Sequence, residues 1–106
     1  MICTLTARRL KPGSYDTFRS AWDPGGVPSG WTRIFHCRDI ADPDVVLSFG
    51  LFDGTLDELR EAQRQLGRGD QVDRISPHIQ ETLLDGSYEV IEELNPRERP
   101  AGSLTS

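Results

Sequence analysis

Only two side chains in this chain of 106 residues, His36 and His78, change charge near neutral pH in their ordinary state. His36 sits within an alternating stretch, Trp31 to Ile40, and shares one face with Ile34 and Arg38. If that face lines a pocket, His36 can take a proton from a phenol or enol. Arg38 or Arg33 can then stabilise the developing anion. The other reading is a hydrogen-bonded sheet histidine whose neighbouring arginines pair with some of the 17 acidic residues. His78 follows Pro77 at a helix start, where it is either a pocket residue or a solvated first-turn residue.

Ser48 and Gly50 are two small residues on one face of an otherwise bulky stretch, VVLSFGLF (45–52). They leave space for a ligand or for the close approach of a helix. Trp22 and Trp31, with Phe18 and Tyr15, can wall an aromatic pocket or serve as plain core. His36 and Arg38 are thus the candidate catalytic residues, and Trp22, Trp31, Ser48, Gly50 and His78 the candidate binding residues. Cys3 and Cys37 are isolated, without metal-ligand spacing, and read as reduced thiols. No nucleophile–base signature or phosphate-cradling glycine loop occurs. Arg68-Gly69-Asp70 reads as a turn, and its likeness to an adhesion tripeptide as chance.

The elements that must position these residues centre on Val45 to Leu66. The apolar run Val45–Phe52 suits a strand at the middle of a sheet. Thr55 and Glu58 form a capping box for the helix that follows, with Leu56, Leu59, Ala62 and Leu66 as its buried stripe and Gly67 as its stop. Ile2–Leu10 reads as a first strand. Ser14 caps a helix with an inward stripe of Tyr15, Phe18 and Trp22. Asp23 to Gly30, DPGGVPSG, is a loop able to act as a flap over a pocket bounded by Trp22 and the Trp31–Ile40 strand. Asp42-Pro43-Asp44 turns that strand into Val45–Phe52 as a hairpin. Val72, Ile75, Ile79 and Leu83 keep helical spacing that Pro77 breaks, so a second helix in two pieces is expected. Asp85-Gly86 is expected to turn the chain into a last strand, Ser87–Leu94. Residues 95–106 read as a disordered tail behind a single domain over 1–94.

Strand, helix, strand, strand, helix, strand is the order of an α+β ferredoxin-like βαββαβ protomer, an antiparallel sheet with both helices on one face. The middle strands carry apolar residues on both faces, so the uncovered face calls for a partner, most simply a second copy of the chain. A net charge of −5 and pI near 4.9 disfavour nucleic acid and anionic membranes. There is no run of about 18 apolar residues for a membrane span. MICTLTARRL has no secretory pattern, so a cytoplasmic protein is expected.

The strand ending in Leu10-Lys11-Pro12-Gly13 before an aromatic-rich helix, the passage LFDGTLDELREA, the broken second helix and the closing SYEVIEEL carry a resemblance. Over about residues 1–94 the chain resembles the dimeric α/β-barrel superfamily, the group of antibiotic-biosynthesis-monooxygenase-like domains. The resemblance implies two sheets packed face to face, with a pocket in each protomer between sheet and helices. It also implies a cofactor-independent monooxygenase- or cyclase-like enzyme acting on an apolar or aromatic metabolite. A non-catalytic ligand-binding or accessory dimer of the same fold is the alternative. Haem-degrading members carry an Asn on the first strand, a Trp on the second helix and a His in its second half. Here Thr6 and Ala7 stand on the first strand, no Trp lies between Val45 and Leu94, and His78 alone matches. No cofactor is therefore expected.

Overall fold

Two strands, β1 (Ile2–Leu10) and β3 (Val45–Phe52), form the centre of a four-stranded antiparallel sheet, flanked by β2 (Trp31–Arg38) beyond β3 and β4 (Ile79–Glu89) beyond β1. The structure, a computed structural model, describes residues 1–27 and 30–98. Helices α1 (Tyr15–Trp22), α2 (Leu56–Leu66) and α3 (Arg68–Ile75) pack on one sheet face. This is the ferredoxin-like α+β fold expected from the element order. The capping box is formed in full. Glu58 N–H donates to Thr55 Oγ1 at 3.2 Å, and Thr55 N–H donates to Glu58 Oε1 at 3.0 Å. Gly67 stops α2 with φ +72°, a left-handed conformation that favours glycine.

Beneath the helices the core is in two parts. Leu10, Phe18, Val46 and Ile75 form one cluster, with Tyr15, Ala21, Trp22 and Ile79 against it. Phe52, Leu59 and Ala62 form the other, with Ile2 and Trp31 against it. Between them the sheet presents polar and small side chains. Thr6 lies opposite Ser48, which lies opposite His36, and Thr4 lies opposite Gly50, which lies opposite Ile34. Because side chains alternate along a strand, this band is set by the register of the three strands.

The face away from the helices is apolar across its width. One row runs Cys37, Leu47, Ala7, Leu84; the next runs Phe35, Phe49, Leu5, Gly86. Phe35 and Phe49 stack at 4.7 Å, and the Arg33 guanidinium lies 4.7 Å from the Phe35 ring centroid. Among the described residues nothing covers this face.

Four expectations are corrected. A bulge between Trp31 and Arg33 returns Trp31 to the helix-covered face, where its ring meets Phe52 edge-on at 5.3 Å. Simple alternation had placed it with Arg33 and Phe35 on the other face. Arg68-Gly69-Asp70 is the first turn of α3 rather than a turn, because the chain re-enters helix directly after Gly67. The last strand is β4, Ile79–Glu89, rather than Ser87–Leu94. Pro77 ends the helical run in a 3₁₀ turn, Ser76–His78, and β1 needs a partner along its whole free edge. Asp85 and Gly86 therefore lie inside the strand, opposite Thr6 and Leu5. β2 also stops at Arg38, before the expected Ile40.

Of the tail expected over 95–106, residues 99–106 lie outside the described residues, and Pro96–Glu98 form a 3₁₀ turn. Two residues of the expected flap, Pro28 and Ser29, also lie outside them. Among the described residues no helix is long and apolar enough to cross a membrane.

Candidate functional site

The polar band of the sheet floors a cavity of about 80 Å³ roofed by α2 and α3. By the same measure one water needs about 10–15 Å³, so the space suits a small organic molecule. Thr4, Thr6, Ser48 and Gly50 form the floor. Trp22, Trp31 and Ile34 stand on the side of β2 and β3. Gln63, Leu66, Arg68 and Gln71 come down from the junction of α2 and α3, where Gly67 bends the chain. Arg8, Asp85 and Ser87 close the side of β1 and β4.

The aromatic wall is held by specific contacts. A Cβ on Gly50 would sit 2.7 Å from Trp31 Cζ3, so only glycine lets the Trp31 ring lie over the strand there. Gln71, almost fully buried, donates from Nε2 to the Trp22 carbonyl at 2.7 Å, and Arg74 Nε donates to the Ala21 carbonyl at 2.9 Å. These bonds cap the orphan carbonyls at the end of α1 and fix the position of Trp22. The Arg19 guanidinium lies 5.1 Å from the Trp22 ring centroid.

His36 lies directly behind this wall. Its ring meets Trp22 edge-on at 4.6 Å, and Nδ1 is 2.7 Å from the Ser48 hydroxyl. Burial, then the charges of Arg19 and Arg8, hold the imidazole below its ordinary value of 6.5. The ring is therefore neutral at pH 7. With its proton on Nε2, which has no hydrogen-bond partner among the described residues, Nδ1 is free to accept the Ser48 O–H. Ser48 faces the cavity and His36 stands one residue behind it, so a proton taken at Ser48 Oγ can pass to the imidazole. Trp31 Nε1 is likewise buried without a partner among the described residues.

The charged wall holds two guanidinium groups and one carboxylate. Arg68 Nη2 lies 3.4 Å from Asp85 Oδ1. Arg8 is only 5% exposed and makes no ion pair with any described residue. Burial, and then Arg68, lower its affinity for its proton, while Asp85 partly restores it.

Between 87% and 90% of the chain superposes on three solved structures that share a description. A candidate antibiotic biosynthesis monooxygenase from Deinococcus radiodurans matches 90% of this chain and 97% of its own, with TM-score 0.73 and 14% identity. One from Chloroflexus aurantiacus matches 89% and 96%, with TM-score 0.71 and 14% identity. One from Nitrosomonas europaea matches 87% and 100%, with TM-score 0.67 and 14% identity. The fold shared with them is the four-stranded antiparallel sheet with its helices on one face. No protein-family model matches the sequence, and no curated protein matches it significantly. Identity this low speaks for the protomer fold alone, and the chemistry has to come from the residues.

Within that fold, the residues singled out from the sequence fall into three groups. Trp22, Trp31, Ser48 and Gly50 share the cavity wall. His36 touches two of them without lining the cavity itself. Arg38 and His78 are elsewhere. Arg38 lies over the Tyr15 ring at 5.1 Å, beside a surface hollow shared with Asp16 and Asp44, and His78 ends the 3₁₀ turn before β4. Arg8, Arg68, Gln71 and Asp85 were not anticipated. The signal for Arg8 was present, since it alternates with Thr4, Thr6 and Leu10 on the face the helices cover. Among the described residues no three His, Cys, Asp or Glu side chains converge to hold a metal ion.

Proposed function

We propose that the cavity binds an apolar or aromatic metabolite and that the protein is a cofactor-independent, monooxygenase- or cyclase-like enzyme working as a homodimer. The observation that carries the reading is the Ser48–His36 pair, 2.7 Å apart, with Ser48 on the floor of an aromatic-walled cavity and His36 behind it. Removal of a proton from a phenol or enol begins both cofactor-free oxygenation and cyclisation. A neutral imidazole reached through a hydroxyl supplies the base for that step. Trp22 and Trp31 supply flat apolar surface for a ring. The similar structures, candidate antibiotic biosynthesis monooxygenases, agree with the oxygenase form. The roles expected for Arg38 and His78 would need a second binding region, since neither borders this cavity.

The dimer rests on the uncovered apolar face. Leu84 and Tyr88 are 44% and 45% exposed on it, beside Leu5, Leu47 and Phe49. A second copy packed there would complete a barrel of two sheets.

A non-catalytic binding dimer is favoured by one observation: neither histidine borders the cavity. Turnover of a tricyclic phenol, followed by oxygen uptake and by product absorbance, separates the two readings. His36→Ala is expected to lower kcat by a factor of about 100 or more with the circular dichroism spectrum unchanged. Absence of any turnover by the wild type, with binding retained, would favour the binding protein.

A further inference from the structure

The charged wall of the cavity has a feature the catalytic reading leaves unused. Arg8 is 5% exposed, on the helix-covered face of a central strand, and lines the cavity. Among the described residues it has no carboxylate within ion-pair distance. Arg9, its neighbour on the opposite face, pairs with both Asp42 and Glu81. The one carboxylate on this wall, Asp85, is engaged by Arg68 at 3.4 Å. Two guanidinium groups against one carboxylate leave the wall with a net positive charge. A buried cation without a counter-ion is costly unless a negative group arrives to pair with it. Among the described residues the Phe18 ring lies 5.7 Å from the Arg8 guanidinium carbon, a weaker partner than a carboxylate.

The surroundings define what could arrive. Trp22, Trp31 and Ile34 stand on the β2–β3 side of the cavity, and Arg8 on the β1–β4 side. Both walls border the same cavity, so one ligand can reach both. We propose that the ligand is an aromatic acid, a ring system held between Trp22 and Trp31 and a carboxylate bound by the two-pronged Arg8 guanidinium. A planar fork of N–H donors suits the two oxygens of a carboxylate. Gln71 and Ser87 line the same cavity. This rests on the reading of the cavity as an aromatic slot, and it narrows the substrate class to compounds carrying an acid.

The test compares 2-naphthoic acid with 2-naphthamide, a neutral analogue of the same shape, by calorimetry on the full chain at pH 7.5. The wild type is expected to bind the acid at least about tenfold more tightly than the amide. Arg8→Gln is expected to erase that preference while leaving the amide affinity within about twofold. Arg8→Lys, which keeps the charge and loses the fork, is expected to retain part of it, and serves if Arg8→Gln does not fold. Equal affinity of the wild type for acid and amide would overturn the proposal and leave the aromatic slot standing. So would an acid preference that survives in Arg8→Gln. Failure of both compounds to bind would overturn the aromatic slot and the proposal together.

Discussion

On β3, Val46, Ser48, Gly50 and Phe52 face the helices, and Val45, Leu47, Phe49 and Leu51 face away. One strand thus serves two surfaces with opposite patterns. The helix-covered face is apolar at its ends and polar in the middle, where Thr6, Arg8, Ser48 and Gly50 interrupt the core. The opposite face has no such interruption across its central rows. A gap in packing is useful only where walls enclose it, so the interrupted face becomes a cavity under α2 and α3. The continuous face offers large, uniform apolar area, the property of an interface.

The largest expected effect concerns the ends of the helix-covered face. Phe18 is fully buried between the sheet and α3, and Phe18→Ala should lower stability by about 3–5 kcal/mol in urea unfolding. Leu84→Ala, on the half-exposed opposite face, should cost well under that in the isolated protomer. Comparable losses would erase the distinction between the faces.

Next comes the proposed interface. Leu47 lies between Ala7 and Cys37 at the middle of the uncovered face. Leu47→Glu should weaken self-association about a hundredfold or more, shifting sedimentation toward the 11.9 kDa protomer. A wild type that already sediments as a protomer at high concentration would mean this face is not a dimer interface.

The smallest effect is a pH dependence. His36 has its folded value lowered below 6.5, so the unfolded chain takes up the proton first as the pH falls. Its contribution to stability is complete above about pH 6.5 and is lost as the pH drops through that value toward the folded one. Denaturant midpoints between about pH 5 and 8 should fall toward acid more steeply for the wild type than for His36→Gln. Equal slopes would mean the imidazole titrates as if in water.

Much of this was legible from residue order. The capping box of Thr55 and Glu58, the stop at Gly67 and the period-two run of β3 are local signals, and the βαββαβ plan follows from their sequence. What was hidden depends on contacts distant in the chain. The bulge that turns Trp31 inward comes from pairing with β3, and Asp85-Gly86 is drawn into a strand by β1, against its turn-forming composition. The alternation of Arg8 with Thr4, Thr6 and Leu10 was visible, but that this face is the one the helices cover was not. Four proposed wall residues, Trp22, Trp31, Ser48 and Gly50, could be grouped from size and spacing. Which sheet face they share required the register.

The most direct test is an NMR titration with 2-naphthoic acid, reading side chains on both faces at once. The Trp22 and Trp31 indole N–H signals should shift together and saturate, while the Leu47 and Leu84 methyl signals stay in place. Shifts confined to Leu47 and Leu84, with both indoles unmoved, would put the ligand on the opposite face and contradict a site between the sheet and the helices.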